Sequence, residues 1–115
     1  MPSDCVFCRI IAGDLDGRVI YQDELVTAFH DIHPAAPVHI LIVPNEHIRS
    51  LNDVEKDHKE LLGHLIMTAK ELAVQEGVDE DGYRLLINTG ANAGQSVFHL
   101  HVHLLAGKHL PVQTR

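Results

Sequence analysis

The chain has 115 residues, 45% of them hydrophobic and 22% charged, with a formal net charge of -7. That is material for a single domain, residues 1–115, able to bury roughly two thirds of its unfolded surface without disulfides. No stretch approaches the ~20 apolar residues of a membrane span, and nine Lys and Arg against sixteen Asp and Glu disfavour nucleic acid as a partner.

The chain opens Met-Pro-Ser-Asp-Cys-Val-Phe-Cys-Arg, with neither a basic start nor a long apolar run. No secretion signal is expected, and the cytoplasm is the default compartment. In a reducing compartment Cys5 and Cys8 are not a disulfide framework. Their Cys-x-x-Cys spacing suits a redox pair, half of a tetrahedral zinc site, or two thiols packed as small hydrophobes. A thioredoxin-type site is disfavoured because no strand precedes the pair. Phe7, Ile10 and Ile11 stand at i, i+3, i+4 before Gly13, which predicts a short helix over 5–12.

Residues 18–22 and 25–30 are β-prone runs separated by Asp23 and Glu24, the pattern of an antiparallel hairpin. Pro34 and Pro37 stiffen the loop over 31–37. Residues 38–43 read as a central strand ended by Pro44, with His39 on one face. Asn52 followed by Glu55 reads as a capping box. It opens one long helix whose apolar stripe is Val54, Leu61, Leu62, Leu65, Ile66, Ala69, Leu72 and Ala73, ending at Gly77. Residues 83–88 and 97–105 supply the fourth and fifth strands. Five strands joined mostly by short turns, with one helical crossover, imply an α+β domain: a five-stranded antiparallel sheet, one long helix and one short one.

The chemistry concentrates in the last strand. Alternation over 97–105 puts His99, His101 and His103 on one face and Phe98, Leu100, Val102 and Leu104 on the other. One histidine would be an ordinary half-exposed residue. Three in alternation point to proton transfer or nucleophilic attack by imidazole, or to chelation by an i, i+2 pair. Gly90, Gly94 and Ser96 form a turn whose backbone N–H groups can gather around an anion such as phosphate. Residues i and i+4 of a strand lie ~13 Å apart, so His99 and His103 cannot both touch one phosphorus atom, and His101 is the natural attacker. It must be neutral, with its other ring nitrogen hydrogen-bonded. The turn over 94–96 can neutralise phosphoryl oxygens without a divalent metal.

These residues resemble the histidine triad (HIT) superfamily, and within it the purine nucleoside phosphoramidase branch in the bacterial form that carries Cys-x-x-Cys. The motif His-x-His-x-His-x-x is matched by His99-Leu100-His101-Val102-His103-Leu104-Leu105. Gly94-Gln95-Ser96-Val97, Ala28-Phe29-His30-Asp31-Ile32 and the pattern Pro37, His39, Pro44 match as well, so the similarity spans about residues 5 to 107.

The resemblance implies a HIT-like fold that dimerises into one continuous sheet. It implies hydrolysis of the P–N bond of adenosine or guanosine 5′-phosphoramidates through a nucleotidyl-histidine intermediate. His101 corresponds to the nucleophile, and His39 and His103 to the histidines that support it and handle the leaving group's proton. Ser96, with Gly94, Gln95 and Val97, corresponds to the phosphate contacts, and Asp31 and Asn88 to those on the ribose and phosphate side. Phe7, Ile10, Phe29 and Ile32 correspond to the slot for the base. On their residues alone, those four read as plain core, Asp31 as a turn acceptor and Asn88 as a strand-end residue.

The resemblance further implies a structural zinc on Cys5, Cys8, His47 and His99, with no cofactor required for the chemistry. A zinc-bound His99 could not enter a hydrogen-bond relay as the first triad histidine does in relatives lacking the cysteines. Histidine at 103 favours hydrolysis over transfer to a second phosphate. A dinucleoside polyphosphate hydrolase and a nucleotide-binding regulatory module with vestigial activity are the alternatives. The chain departs from the animal-type enzymes at its end, Gly-Lys-His-Leu-Pro-Val-Gln-Thr-Arg, which has no tryptophan, so leaving-group preference is not carried over.

Overall fold

Near-continuous apolar runs in 26–30, 38–44 and 102–106 bury both faces of each strand, and the sheet is accordingly covered on both sides. In the computed structural model, which describes residues 4–111, the strands are β1 (Val19–Gln22), β2 (Val26–His30), β3 (Val38–Pro44), β4 (Tyr83–Leu86) and β5 (Val102–Ala106). They form one antiparallel sheet in the order β1-β2-β3-β5-β4. The helices are α1 (Val6–Ala12) and α2 (Lys59–Gln75). The expected α+β architecture is therefore observed. The end of the C-terminal tail, residues 112–115, lies outside the described residues.

One face of the sheet, carrying Val26, Ala28, Ile40, Ile42, Val102 and Leu104, packs on Leu61, Leu65, Ala69, Leu72 and Ala73 of α2. The opposite face carries Phe29, Leu41 and Val43, which pack on Phe7 and Ile10 of α1. Phe29 pairs with Leu41, and Leu41 with His103. An apolar row therefore runs from β2 across the central strand to the last triad histidine.

Three boundaries differ from expectation. The long helix starts at Lys59, not near Asn52. Ser50 accepts the Asn52 N–H to begin a 3-10 turn, and the reciprocal capping box forms between Glu55 and His58. Ile66 leaves the buried stripe and is 44% exposed, because the stripe at 61, 65, 68 and 72 turns about 100° away from it and Thr68 is buried in its place. The fourth strand stops at Leu86.

The largest difference is in the fifth strand, which is paired only from Val102; residues 97–101 lie outside the ladder. Pro44 has no N–H to continue the pairing, and its carbonyl oxygen lies 2.8 Å from His99 Nε2. Leu100 N–H instead donates to the Ile48 carbonyl at 2.7 Å. Freed from the ladder, Phe98 does not join Leu100 and Val102 in the core and is 37% exposed.

The β1–β2 hairpin is held by Asp23. Its carboxylate accepts from Leu25 N (2.8 Å), Val26 N (2.9 Å) and Tyr21 Oη (2.7 Å), and lies 2.7 Å from His64 Nε2 of α2. Burial pushes this carboxyl's pKa up, but the hydrogen bonds from Tyr21, His64, Val26 and Leu25 outweigh it and hold the group well below the usual carboxylate range. The folded-state pKa thus lies below the unfolded value of about 3.9. The contribution is complete above that value and is lost as the pH falls below it toward the folded-state pKa. Asp23→Ala is expected to cost about 2 kcal/mol at pH 7. Urea unfolding of both proteins should show that gap at pH 7 and a narrower one at pH 3.

Candidate active site and metal cluster

His101 is buried just before β5, its ring centroid 5.1 Å from that of Phe7. Its Nδ1 lies 2.7 Å from the His99 backbone oxygen. A carbonyl only accepts, so Nδ1 carries the hydrogen and Nε2 presents a lone pair. Burial lowers the pKa of His101, against the opposing pull of that hydrogen bond and of Asp31. The ring is therefore neutral at neutral pH.

A second chain of hydrogen bonds sets the other two imidazoles. The Ala35 N–H donates to His39 Nδ1 at 3.0 Å, which places the hydrogen of neutral His39 on Nε2. That nitrogen lies 2.9 Å from His103 Nδ1 and 3.3 Å from Asp31 Oδ2, and donates toward both. The hydrogen of His103 is thereby left on Nε2, the one buried side-chain nitrogen or oxygen among the described residues without a partner. Leaving such a donor unmatched costs about 1–3 kcal/mol, which a ligand oxygen or nitrogen would offset. Burial lowers the pKa of His39, and lowers that of His103 to about 4 with His101 and His39 adding to the effect.

Behind the triad, Cys5 caps α1 by accepting the Cys8 N–H, so the start of the helix holds both thiols on one side. Cys5 Sγ lies 3.4 Å and Cys8 Sγ 3.5 Å from His99 Nδ1, Cys8 Sγ lies 3.2 Å from His47 Nδ1, and the two Nδ1 atoms are 3.1 Å apart. Tetrahedral zinc has S–N edges of about 3.6 Å and N–N edges of about 3.4 Å. His99 Nε2 donates to the Pro44 carbonyl, which turns the Nδ1 lone pair toward the thiols, as an outer hydrogen bond to a metal-ligating histidine does. Burial, then the neighbouring Cys5, pushes the Cys8 thiol up to about 11. A Cys8 thiolate is therefore favoured only beside a cation, and the four donors are placed to hold one.

The same geometry resolves the double demand on His99. Its ring belongs to the candidate metal-ligand set while its backbone oxygen orients His101, so ligation and orientation would not compete. Among the described residues the clustered donors separate the triad: His99 groups with the cysteines and His47, and His103 with His39 and Asp31.

Phe7, Ile10, Phe29, Asp31, Ile32, Ser96, Val97, His101 and His103 line one cavity of about 400 Å³. A plain-core reading fails for Ile32, which is 72% exposed. Asp31 serves both readings: Oδ1 accepts the His33 N–H at 2.8 Å and Oδ2 faces His39. Asn88, Gly94 and Gln95 are not in the lining. Gln95 is buried and holds the turn, accepting from Gly90 N at 2.8 Å and donating to the Arg49 and Val97 carbonyls at 3.0 and 3.2 Å. Gly94 adopts a left-handed φ of 86°, which a side chain would strain.

The sequence reading missed Val6, Leu15, Asp16, Gly17, His30, His33 and Leu41, which share the lining. Leu41 had a signal, standing two residues beyond His39 on the same strand face. Gly17 had none: a Cβ there would come within 2.6 Å of the Ile10 side chain, a contact that only the folded chain creates.

The HIT domain family matches residues 12–110. The purine nucleoside phosphoramidase of Escherichia coli K12 is 49% identical over 110 residues, 96% of this chain and 92% of that protein. A HIT family hydrolase from Legionella pneumophila superposes with a TM-score of 0.92 at 44% identity, covering 94% of this chain and 96% of that one. A histidine triad protein from Clostridium difficile does so with a TM-score of 0.95 at 39% identity, covering 99% of each. With a family match across most of its length and this likeness in fold, the chain belongs to the HIT domain family.

Proposed function

We propose that this HIT protein is a cytoplasmic hydrolase, one domain over residues 1–115, that cleaves the P–N bond of adenosine or guanosine 5′-phosphoramidates. The observation that carries the reading is the hydrogen bond from His101 Nδ1 to the His99 carbonyl, since it leaves a neutral ring with its Nε2 lone pair beside the cavity. Phe7, Ile10, Phe29 and Ile32 hold the base, Asp31 and Asn88 the ribose and phosphate side. Ser96 and Val97 meet the phosphate, on a turn kept in shape by Gly94 and Gln95.

His101 Nε2 attacks phosphorus and the P–N bond breaks, giving a nucleotidyl-His101 intermediate. His103 lends its Nε2 proton to the departing amine, with the His39 N–H bound to its other nitrogen. Water then attacks phosphorus, the bond to His101 breaks, and His103 takes its proton back from that water. Pre-aligned donors and a desolvated nucleophile supply the acceleration, so the step needs no metal.

Zinc on Cys5, Cys8, His47 and His99 would be structural, because four protein donors leave no open position. A homodimer is supported by the free edge of β4 and by Ile66, Met67 and Val74 of α2, exposed by 44%, 52% and 53%. The competing reading, a dinucleoside polyphosphate hydrolase, is tested by comparing kcat/KM for adenosine 5′-phosphoramidate and a diadenosine polyphosphate. The first should be larger; the reverse order would replace this proposal with its rival.

A further inference from the structure

A second cavity of about 510 Å³ adjoins the nucleotide slot, lined by Arg49, Ser96, Val97 and Phe98 and, on the metal-cluster side, by His47 and residues 4–6. It is far larger than one ion needs. Ser96, Val97 and Val6 belong to the walls of both cavities. The two cavities thus meet at Ser96, which puts the second beside a phosphorus bound at that residue.

Arg49 is placed there by the backbone. The Leu100 N–H donates to the Ile48 carbonyl, and Gln95 Nε2 to that of Arg49 itself, which lays residues 48–49 alongside the chain that leads into the triad. The guanidinium carbon stands 4.4 Å from the centroid of the Phe98 ring, an arrangement that restrains a long side chain and leaves its N–H edge free. Among the described residues no carboxylate lies within salt-bridge reach of it. This also gives the exposed Phe98 a role, as the platform that holds the cation over the cavity.

We propose that this cavity is a leaving-group subsite in which Arg49 receives the carboxylate of the departing amine. The inference rests on the phosphoramidase reading above and deepens it: the preferred substrates are nucleoside phosphoramidates of carboxylate-bearing amines. Asp4 also lines the cavity, and this second charge favours a single carboxylate over a multiply charged phosphate.

The test compares kcat/KM for the adenosine phosphoramidates of glycine, glycinamide and phosphoethanolamine. Glycine should be preferred over glycinamide, and Arg49→Ala should lower that ratio about tenfold to a hundredfold, with Arg49→Lys between the two. Because the ratio is internal to each variant, partial unfolding does not affect it. An unchanged ratio in Arg49→Ala overturns the subsite, and a preference for phosphoethanolamine overturns its assignment to carboxylates. If no phosphoramidate at all is hydrolysed, the reaction reading fails instead. The subsite is then judged by calorimetric Kd values for the same glycine and glycinamide compounds, and equal values would overturn it.

Discussion

Replacing His101 with glycine is expected to lower turnover by about 10⁴-fold or more while AMP still binds within a few-fold of the unaltered protein. Among the described residues His101 is the one cavity-lining imidazole whose N–H is held by a backbone carbonyl, leaving the other nitrogen's lone pair free, so no neighbour can substitute for it. His103 presents an N–H there, not a lone pair, because His39 donates to its other nitrogen. His99 has both ring nitrogens committed, one to the Pro44 carbonyl and one to the thiol cluster. The proposed base slot, formed by Phe7 and Ile10 of α1 and Phe29 of β2, is untouched by the substitution, so binding, measured by calorimetry, should persist. Unaltered protein quenched in alkali during turnover should carry the added mass of one nucleotidyl group, and His101→Gly none. Residual activity within tenfold of the unaltered protein would remove His101 from the nucleophile's role.

Protein purified without added metal is expected to contain about one zinc per chain, and Cys8→Ser almost none. The substitution should lower the melting temperature by about 10 °C or more, corresponding to roughly 3 kcal/mol for a domain of this size. The physical reason is that α1 is only Val6–Ala12, too short to persist unaided, and a metal on the four donors would pin its start to His47 and His99. Because α1 carries Phe7 and Ile10 into the cavity proposed to hold the nucleotide, loosening it should raise KM more than it lowers kcat. A Cys8→Ala variant that keeps the original melting temperature would show that the thiols serve only as packed hydrophobes.

Much of this site follows from local pattern. The hairpin around Asp23-Glu24, the central strand closed by Pro44 and the stripe on α2 are written in hydrophobic spacing, which depends on residues a few positions apart. The even–odd division of His99, His101 and His103 from Leu100, Val102 and Leu104 survives although the strand ladder begins only at Val102, because side chains alternate in any extended chain. His47 and the residues of the proposed base slot had no such pattern; they were named through resemblance to the HIT superfamily, and the four slot residues alone read as core.

The amino-acid sequence by itself therefore determined which imidazoles and thiols are present, the sheet that carries them and the family to which they belong. Only the tertiary structure decided which nitrogen of each histidine bears the hydrogen, since that depends on partners far away in the chain: Ala35 and His39 for His103, the His99 carbonyl for His101, Pro44 for His99. It alone released residues 97–101 from the ladder, putting the His99 ring among the thiols and Phe98 under Arg49. Spacing sets where a side chain can point, but a proton or a charge is assigned by what the fold brings within about 3 Å of it.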